Sequence, residues 1–185
     1  MIDLHAHILY GLDDGPDTLE ETMAMLRIAT EEGIHTMITT PHYIHGANSY
    51  DANHYDVRLA EIQEQIQAQA IPITLLTGNE MLLDEWSLRN YQAKSVRTIA
   101  NSRYALVEFP LMEIPHYAEN VLDGLLEEGL TPLIAHPERY PEIQEDPGRI
   151  ERFIHRGCLT QVNSGSITGI YGKAAAHTAK VLVKH

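Results

Sequence analysis

Short apolar segments alternate with longer amphipathic segments along the whole chain. The apolar segments have the length and the flanking turn residues of buried strands, and they cover residues 1–7, 36–39, 73–77, 104–109, 131–135 and 159–162. Strands that alternate with helices are typical of parallel sheets with right-handed crossover connections. The pattern therefore predicts an α/β fold, and the six units fit either a doubly wound open sheet or an incomplete barrel.

The amphipathic segments carry helix signals. Thr18-Leu19-Glu20-Glu21 is a capping box that predicts a helix start, and Gly33 is placed to end that helix. In the next predicted helix, residues 51–69, the apolar face consists of Tyr55, Leu59, Ile62 and Ile66. Further helices are predicted at residues 115–129, 147–156 and 172–184. Residues 81–101 give no clear pattern, although Trp86 and Tyr91 are expected to pack there.

Residues with chemically useful side chains lie at or just after the ends of the predicted strands. They are His5, His7, His42, Glu80, Glu108, His136 and Asn163. Alternate side chains of a strand share a face, so His5 and His7 are expected to point the same way. The carboxyl ends of parallel strands meet at one edge of a sheet or barrel, so the whole set is predicted to form one site.

The predicted site has the donor set of a divalent-metal centre. Imidazole and carboxylate ligands suit Mn, Fe or Zn, and they differ from the thiolates of structural zinc sites. Together with Asp14, which lies in a turn after the first strand, these ligands are too many for one ion. They predict two or three ions that share a bridging carboxylate, either Glu80 or Glu108. Closely spaced ions of this kind support in-line phosphoryl displacement.

Several of these residues also have a simpler interpretation. His5 and His7 could be polar residues near the N-terminus, and His42 could be a loop histidine. Glu108 is harder to explain in this way, because a buried strand does not readily tolerate an unpaired carboxylate. The polar loop at residues 43–50 is a candidate rim of the site.

Arg139 lies three residues after His136, in the same predicted loop. An arginine beside a metal centre can bind phosphate oxygens in a bidentate geometry that lysine does not match. The alternative is a surface ion pair with Glu138 or Glu142. The position of Arg139 beside the predicted site favours phosphate binding.

Cys158 is the single cysteine, so the chain forms no internal disulfide and suits a reducing cytoplasm. A cysteine-dependent phosphatase needs a phosphate-cradling loop between the cysteine and a nearby arginine. Cys158 instead leads into a predicted strand, so we expect a buried and inert thiol.

The length and the net charge of the chain exclude some classes of function. A chain of 185 residues is long enough for one domain with a core. Its net charge of -13 argues against an extended nucleic-acid partner, which needs a basic surface. No apolar run has the length of a membrane span, and no signal peptide pattern is visible. A cytoplasmic protein without membrane insertion is therefore expected.

Together these motifs resemble the PHP (polymerase and histidinol phosphatase) superfamily. The matching strings, in chain order, are His5-Ala6-His7, Asp13-Asp14-Gly15, Thr39-Thr40-Pro41-His42, Gly78-Asn79-Glu80, Leu106-Val107-Glu108-Phe109, Ala135-His136-Pro137-Glu138-Arg139-Tyr140 and Gln161-Val162-Asn163-Ser164. The strings around Glu108 and Arg139 resemble one branch in particular, the bacterial tyrosine-protein phosphatases of the CpsB/YwqE type. This resemblance covers residues 1–185 as one phosphatase domain, and it implies a distorted (β/α)7 TIM-like barrel.

The resemblance also implies a trinuclear metal centre, often served by Mn. The implied ligands are His5, His7 and Glu80 for one ion, Asp14 and His42 for a second, and Glu80, Glu108 and His136 for a third. Two or three divalent ions are expected, with Fe, Co, Zn or Mg as alternatives to Mn. Arg139 and His42 are the implied catalytic residues, and Arg139 would bind the substrate phosphate.

The activity implied by the resemblance is hydrolysis of phosphotyrosine. A metal-activated hydroxide would attack phosphorus and expel the phenolate, whose conjugate acid has a pKa of about 10. The expected partners are the bacterial tyrosine kinases that control capsule or exopolysaccharide synthesis. Two alternatives stay open: a phosphatase for a small metabolite such as histidinol phosphate, and a non-catalytic PHP-like module that binds a kinase.

The family pattern continues with a strand that carries an Asp-x-His pair. The sequence ends at Val181-Leu182-Val183-Lys184-His185, where that strand would follow. The comparison predicts a C-terminally truncated domain that lacks its last barrel strand. Weaker metal binding and poor activity of this chain are expected for that reason.

Overall fold

The computed structural model describes residues 1–47 and 52–184, which form two compact units. The first unit contains Met1–Glu80 and Asn90–Ser102, and the second contains Met81–Arg89 and the chain from Arg103 onwards. Each unit contains parallel strands that alternate with helices. This arrangement confirms the predicted α/β class.

Three strands of the first unit form a parallel sheet. The strands of this unit are β1 (Ile2–Ala6), β2 (Thr36–Thr39), the two-residue β3 (His42–Tyr43) and β4 (Thr74–Thr77). In the sheet β2 lies in the middle, and its Thr36 is opposite Ile2 of β1 on one side and Thr74 of β4 on the other. The carboxyl ends of these three strands therefore lie side by side.

Two helices cover the first unit, α1 (Leu19–Glu31) and α2 (Ala52–Ala68). The predicted capping box is present at α1, because Thr18 Oγ1 accepts the Glu21 amide at 3.2 Å and Glu21 Oε2 accepts the Thr18 amide at 3.3 Å. The predicted apolar face of α2 is buried, and it consists of Tyr55, Leu59, Ile62 and Ile66. Residues 48–51, which include the end of the predicted rim loop and the predicted start of α2, lie outside the described residues.

The second unit is built on a parallel sheet in the order β6-β7-β8. These strands are β6 (Tyr104–Glu108), β7 (Thr131–Ala135) and β8 (Leu159–Gln161). The short β5 (Glu80–Leu82) has its first residue in the first unit and the other two in the second. In this sheet Leu133 of β7 pairs with Leu106 on one side and Leu159 on the other. The helix α3 (Ser87–Gln92) has residues in both units. The remaining helices belong to the second unit and are α4 (Ala118–Glu127), α5 (Pro141–Glu145), α6 (Glu151–Ile154), α7 (Ser164–Thr168) and α8 (Gly172–Leu182).

Several details differ from the sequence predictions. The segment predicted as one helix at 147–156 is divided into a 3-10 turn (Pro147–Ile150) and the short α6. Trp86, which was expected to pack in this region, is 47% exposed, and the guanidinium carbon of Arg89 lies 5.4 Å from its ring centroid. The short β3, β5 and α7 were not predicted, because they give neither a separate apolar run nor an amphipathic face in the sequence.

Candidate functional site

The first unit brings together five of the predicted site residues at the carboxyl ends of its strands. They are His5, His7, Asp14, His42 and Glu80. His5 and His7 come from the end of β1, whereas His42 follows β2 and Glu80 follows β4. Because β1, β2 and β4 are neighbours in one parallel sheet, their carboxyl ends deliver these side chains to one place.

Three imidazoles converge on one oxygen of the buried Glu80 carboxylate. Glu80 Oε2 lies 3.1 Å from His5 Nε2, 3.1 Å from His7 Nε2 and 3.2 Å from His42 Nδ1. The two strand histidines also approach each other, with 3.1 Å between their Nε2 atoms. The prediction that His5 and His7 share a face is therefore confirmed.

These spacings fit the ligand shell of a metal ion. Ligand atoms bonded at about 2.1 Å to one ion lie about 3.0 to 3.4 Å from one another in octahedral or tetrahedral geometry. His5, His7 and Glu80 offer ligand atoms at this separation. The Glu80 side chain is only 1% exposed, and nitrogen atoms of three imidazoles surround its carboxylate. This donor set suits Mn, Fe or Zn.

Asp14 extends this donor set on the solvent side. Its Oδ1 lies 3.3 Å from His7 Nδ1 and 3.5 Å from His42 Nε2, while its side chain is 76% exposed. The three residues form a second group whose ligand atoms lie within 4.8 Å of one another. An exposed carboxylate at this position leaves the second group open to water and to a substrate.

Asp13 is a candidate functional residue that the sequence analysis did not single out. Its side chain is 1% exposed, and its Oδ2 accepts hydrogen bonds from His7 Nδ1 at 2.7 Å and from the His42 amide at 2.9 Å. Its Oδ1 accepts the Gly15 amide at 3.0 Å. A carboxylate that accepts a hydrogen bond from one ring nitrogen of a histidine fixes the tautomer in which the other nitrogen can bind a metal. The available signal was the position of Asp13 two residues before a glycine, where aspartate often hydrogen-bonds its own turn.

The charges around His7 change its proton affinity. Burial alone would lower the pKa of His7, but the hydrogen bonds and negative charges of Asp13 and Glu80 outweigh it and raise the pKa to about 10. Burial would likewise raise the pKa of Asp13, yet its hydrogen bond and ion pair with His7 leave that pKa below its ordinary value. The cluster is therefore an electrostatically negative pocket that favours a cation.

The turn that carries Asp13 has no room for a side chain at Gly15. A Cβ atom on Gly15 would lie 2.8 Å from the His7 carbonyl oxygen and 3.1 Å from Asp13 Oδ1. Glycine at this position allows the turn to close against the end of β1. The turn in this way holds Asp13 and Asp14 beside His7.

The second unit brings Glu108 and His136 together. Glu108 ends β6 and His136 follows β7, and His136 Nε2 lies 3.6 Å from Glu108 Oε2. The buried Tyr140 hydroxyl fixes both strand ends, since it accepts the Phe109 amide at 2.9 Å and donates to the Ala135 carbonyl at 3.1 Å. His136 has a left-handed backbone, with φ 34° and ψ 53°, a strained conformation often found at functional sites.

The guanidinium of Arg139 has no hydrogen bond or ion pair with any residue that the structure describes. The alternative acids are engaged elsewhere, because Glu142 accepts Arg149 Nη1 at 2.8 Å and Glu138 is fully buried. The alternative of a surface ion pair with Glu138 or Glu142 is therefore not found among the described residues. Arg139 instead stacks on Tyr171, whose ring centroid lies 4.5 Å from the guanidinium carbon.

The structure also shows the surroundings of Asn163 and Cys158, two residues that the sequence analysis discussed. Asn163 Oδ1 accepts Gln161 Nε2 at 2.9 Å, and the Asn163 amide donates to Glu138 Oε1 at 3.0 Å. Cys158 is buried, and this burial raises the pKa of its thiol to about 11. A thiol with this pKa holds its proton at neutral pH, which agrees with the predicted inert role.

Five of the predicted ligand candidates belong to the first unit, whereas Glu108, His136 and Arg139 belong to the second. The predicted sharing of Glu80 with Glu108 and His136 stays a prediction. Among the helices of the described residues, none combines the length and the apolar character that a membrane span requires.

Comparisons with known proteins give consistent matches. A family model described as "Capsular polysaccharide synthesis, CpsB/CapC" matches residues 1–185. The tyrosine-protein phosphatase YwqE of Bacillus subtilis (strain 168) is 33% identical over 173 residues, which are 94% of this chain and 68% of that protein. The tyrosine-protein phosphatase CpsB of Streptococcus pneumoniae is 32% identical over 164 residues, which are 89% of this chain and 68% of that protein.

A solved structure has the same fold. It comes from the work "Crystal structures of YwqE from Bacillus subtilis and CpsB from Streptococcus pneumoniae, unique metal-dependent tyrosine phosphatases". Its TM-score is 0.94 at 32% sequence identity, and the match covers 100% of this chain and 74% of the solved chain.

Proposed function

Because the chain belongs to the CpsB/CapC family of capsular polysaccharide synthesis, we propose that it is a metal-dependent protein-tyrosine phosphatase. The observation that carries this proposal is the convergence of three imidazoles on the buried Glu80 carboxylate. Packing alone explains this cluster poorly, because a carboxylate that is 1% exposed is costly to remove from water unless a cation compensates its charge. The relatives that share the fold are named as tyrosine phosphatases, and this agrees with the chemistry of the cluster.

The first unit supplies most of the metal ligands in this proposal. His5, His7 and Glu80 hold one divalent ion, and His42 with Asp14 holds a second. Glu108 and His136 are ligand candidates within the second unit. Bound ions of this type supply a water-derived nucleophile and neutralise the charge on a phosphoryl group. We favour Mn among the metals that suit this donor set.

The residues of the chain perform the remaining tasks. Asp13 holds His7 in the tautomer that presents Nε2 to the metal. Arg139 binds the oxygens of the substrate phosphate, because its N–H groups are unoccupied by other described residues. The phenolate of tyrosine leaves as a weak base, since its conjugate acid has a pKa of about 10.

The substrate in this proposal is phosphotyrosine on a protein, and a bacterial tyrosine kinase of capsule synthesis is its natural source. The family description and the names of the relatives support this choice. The PHP-type barrel, a single phosphatase domain and a cytoplasmic location belong to the same proposal. Exchange of the phosphotyrosyl peptide for histidinol phosphate in the assay separates this activity from that of a small-metabolite phosphatase.

The test is phosphate release from a phosphotyrosyl peptide by the purified chain, with added Mn and after chelation. Glu80→Gln removes the charge on which the imidazoles converge, and Glu64→Gln makes the same change on an exposed part of α2. We expect release that depends on Mn, is lost in Glu80→Gln and is retained in Glu64→Gln. Circular dichroism checks that both variants are folded. Release that persists after chelation, or a folded Glu80→Gln variant with full activity, contradicts the proposal.

A further inference from the structure

The segment that follows β8 places an exposed aromatic ring against Arg139. The turn between α7 and α8 carries Ile170 and Tyr171, which are 75% and 46% exposed. The Arg139 guanidinium carbon lies 4.5 Å from the centroid of the Tyr171 ring, a distance typical of a cation–π contact. Neither Arg139 nor Tyr171 is a metal-ligand candidate, and both residues belong to the second unit.

The stack occupies the face of the guanidinium and leaves its edges available. Arginine binds phosphate through N–H groups that lie in the guanidinium plane, whereas an aromatic ring contacts the plane from above. None of these N–H groups pairs with another of the described residues. A stacked arginine therefore keeps its phosphate-binding donors while it loses freedom to rotate.

The Tyr171 ring is itself fixed by Gly165 of α7. A Cβ atom on Gly165 would lie 3.3 Å from Tyr171 Cε2 and 3.3 Å from Ile170 Cδ1. The two side chains thus pack directly on the backbone of Gly165. A larger residue at this position would push the ring away from its present place.

A buried carboxylate ties the two loops together beneath this stack. Glu138 Oε1 accepts Ser166 Oγ at 2.6 Å and the Asn163 amide at 3.0 Å. Glu138 is the residue before Arg139, and Ser166 lies in the short helix that precedes Tyr171. The distance between the Arg139 loop and the Tyr171 turn is therefore set by hydrogen bonds within a buried part of the unit.

We infer that Tyr171 is a positioning residue, whose ring holds the Arg139 guanidinium by its face so that its edges bind the phosphate of an aryl phosphoester. The inference rests on the proposed function for the identity of the substrate. It predicts that ring loss at position 171 weakens phosphate binding and raises KM more than it lowers kcat. The phenol hydroxyl is not needed, so a phenylalanine ring should be sufficient.

The first experiment measures phosphate binding without any turnover. Inorganic phosphate is titrated into the metal-free, ¹⁵N-labelled full chain, and the Arg139 Nε–H signal is followed by NMR. An Arg139→Lys variant identifies that signal by its disappearance. We expect Tyr171→Phe to keep the ring-current shift of this signal and the wild-type affinity. Tyr171→Leu should lose the ring-current shift and bind phosphate about two- to fivefold more weakly, the effect that an exposed cation–π contact supports.

Tyr104→Leu is the matched control, because Tyr104 also lies beside an arginine but at the amino end of β6. It should leave both the Arg139 signal and phosphate binding unchanged. The second experiment is steady-state kinetics on a phosphotyrosyl peptide with Mn, where Tyr171→Leu should raise KM about two- to fivefold. Little change in kcat is expected.

The outcomes separate the two proposals. A wild-type chain that binds phosphate through Arg139 and loses affinity in Tyr171→Leu, but hydrolyses nothing, overturns the proposed function and supports the positioning role. A Tyr171→Leu variant that binds phosphate as tightly as the wild type overturns the positioning role. An Arg139 signal that phosphate leaves unmoved in the wild type overturns it as well.

Discussion

Replacement of Asp13 by asparagine removes one charge from beneath the metal cluster and keeps the size of the side chain. The carboxylate accepts three hydrogen bonds, from His7 Nδ1, the His42 amide and the Gly15 amide. An amide has a single oxygen in place of two, so at least one of these donors loses its partner. Its NH₂ group would also face N–H donors at the place where the second oxygen lay.

The expected losses of stability and of metal affinity follow from these contacts. A hydrogen bond to a charged group contributes about 1.5–3 kcal/mol, so Asp13→Asn should lower the free energy of unfolding by about that amount. The larger consequence concerns metal affinity, because His7 loses the carboxylate that sets its tautomer. Loss of such a partner commonly weakens metal binding about 10–100-fold.

The assays are calorimetric titration with Mn and urea denaturation of the metal-free chain. Asp17→Asn is the matched control, since Asp17 is an exposed residue of the same loop. It should change neither the affinity for Mn nor the unfolding midpoint. A folded Asp13→Asn variant that binds Mn within about twofold of the wild type would refute the role assigned to Asp13.

Three further predictions concern stability. Thr18→Ala removes the cap of α1 and should lower the free energy of unfolding by about 1 kcal/mol in urea denaturation, whereas an unchanged midpoint would contradict the capping role. Ile62→Ala opens a cavity at a fully buried position of α2 and should lower the free energy of unfolding by about 2–5 kcal/mol. Its control is Val57→Ala on the exposed side of α2, which should change the free energy of unfolding by less than about 0.5 kcal/mol. Burial raises the pKa of Cys158 from 9.0 to about 11, so the stability that the protonated thiol contributes is complete below about pH 9 and is lost as the pH rises towards 11. Melting temperatures measured across this range should fall more steeply for the wild type than for Cys158→Ala, and parallel curves would contradict this.

The sequence was sufficient to predict the elements that place the site. The six predicted strands match β1, β2, β4, β6, β7 and β8 closely, because buried parallel strands are apolar runs bounded by turn residues. The capping box at Thr18 and the apolar face of α2 were also predicted correctly. These features are local, so they can be recognised without knowledge of the tertiary contacts.

The grouping of ligands followed from topology. Each histidine or acid was placed at a strand end, and parallel pairing of β1, β2 and β4 then brought His5, His7, His42 and Glu80 together. The family resemblance assigned Glu108 and His136 to one ion, and the structure places His136 Nε2 3.6 Å from Glu108 Oε2.

The features that were missed depend on contacts between distant residues. Asp13 looks like an ordinary turn residue, and only the fold shows that its carboxylate receives His7 and the His42 amide. Tyr171 lies far from Arg139 in sequence, so no local pattern predicts their stack. Trp86 was expected to pack in a region that gave no clear pattern, and it is 47% exposed, because a single large side chain does not determine its own burial.

The most direct test of the metal centre is anomalous diffraction at the Mn absorption edge from crystals grown with Mn. The proposed ligand set predicts an anomalous peak about 2.0–2.3 Å from His5 Nε2, His7 Nε2 and a Glu80 carboxylate oxygen. Under the same conditions, the peak should be absent from crystals of a folded Glu80→Gln variant. A wild-type map without a peak among these three residues, at Mn concentrations that support phosphate release, would contradict the central claim.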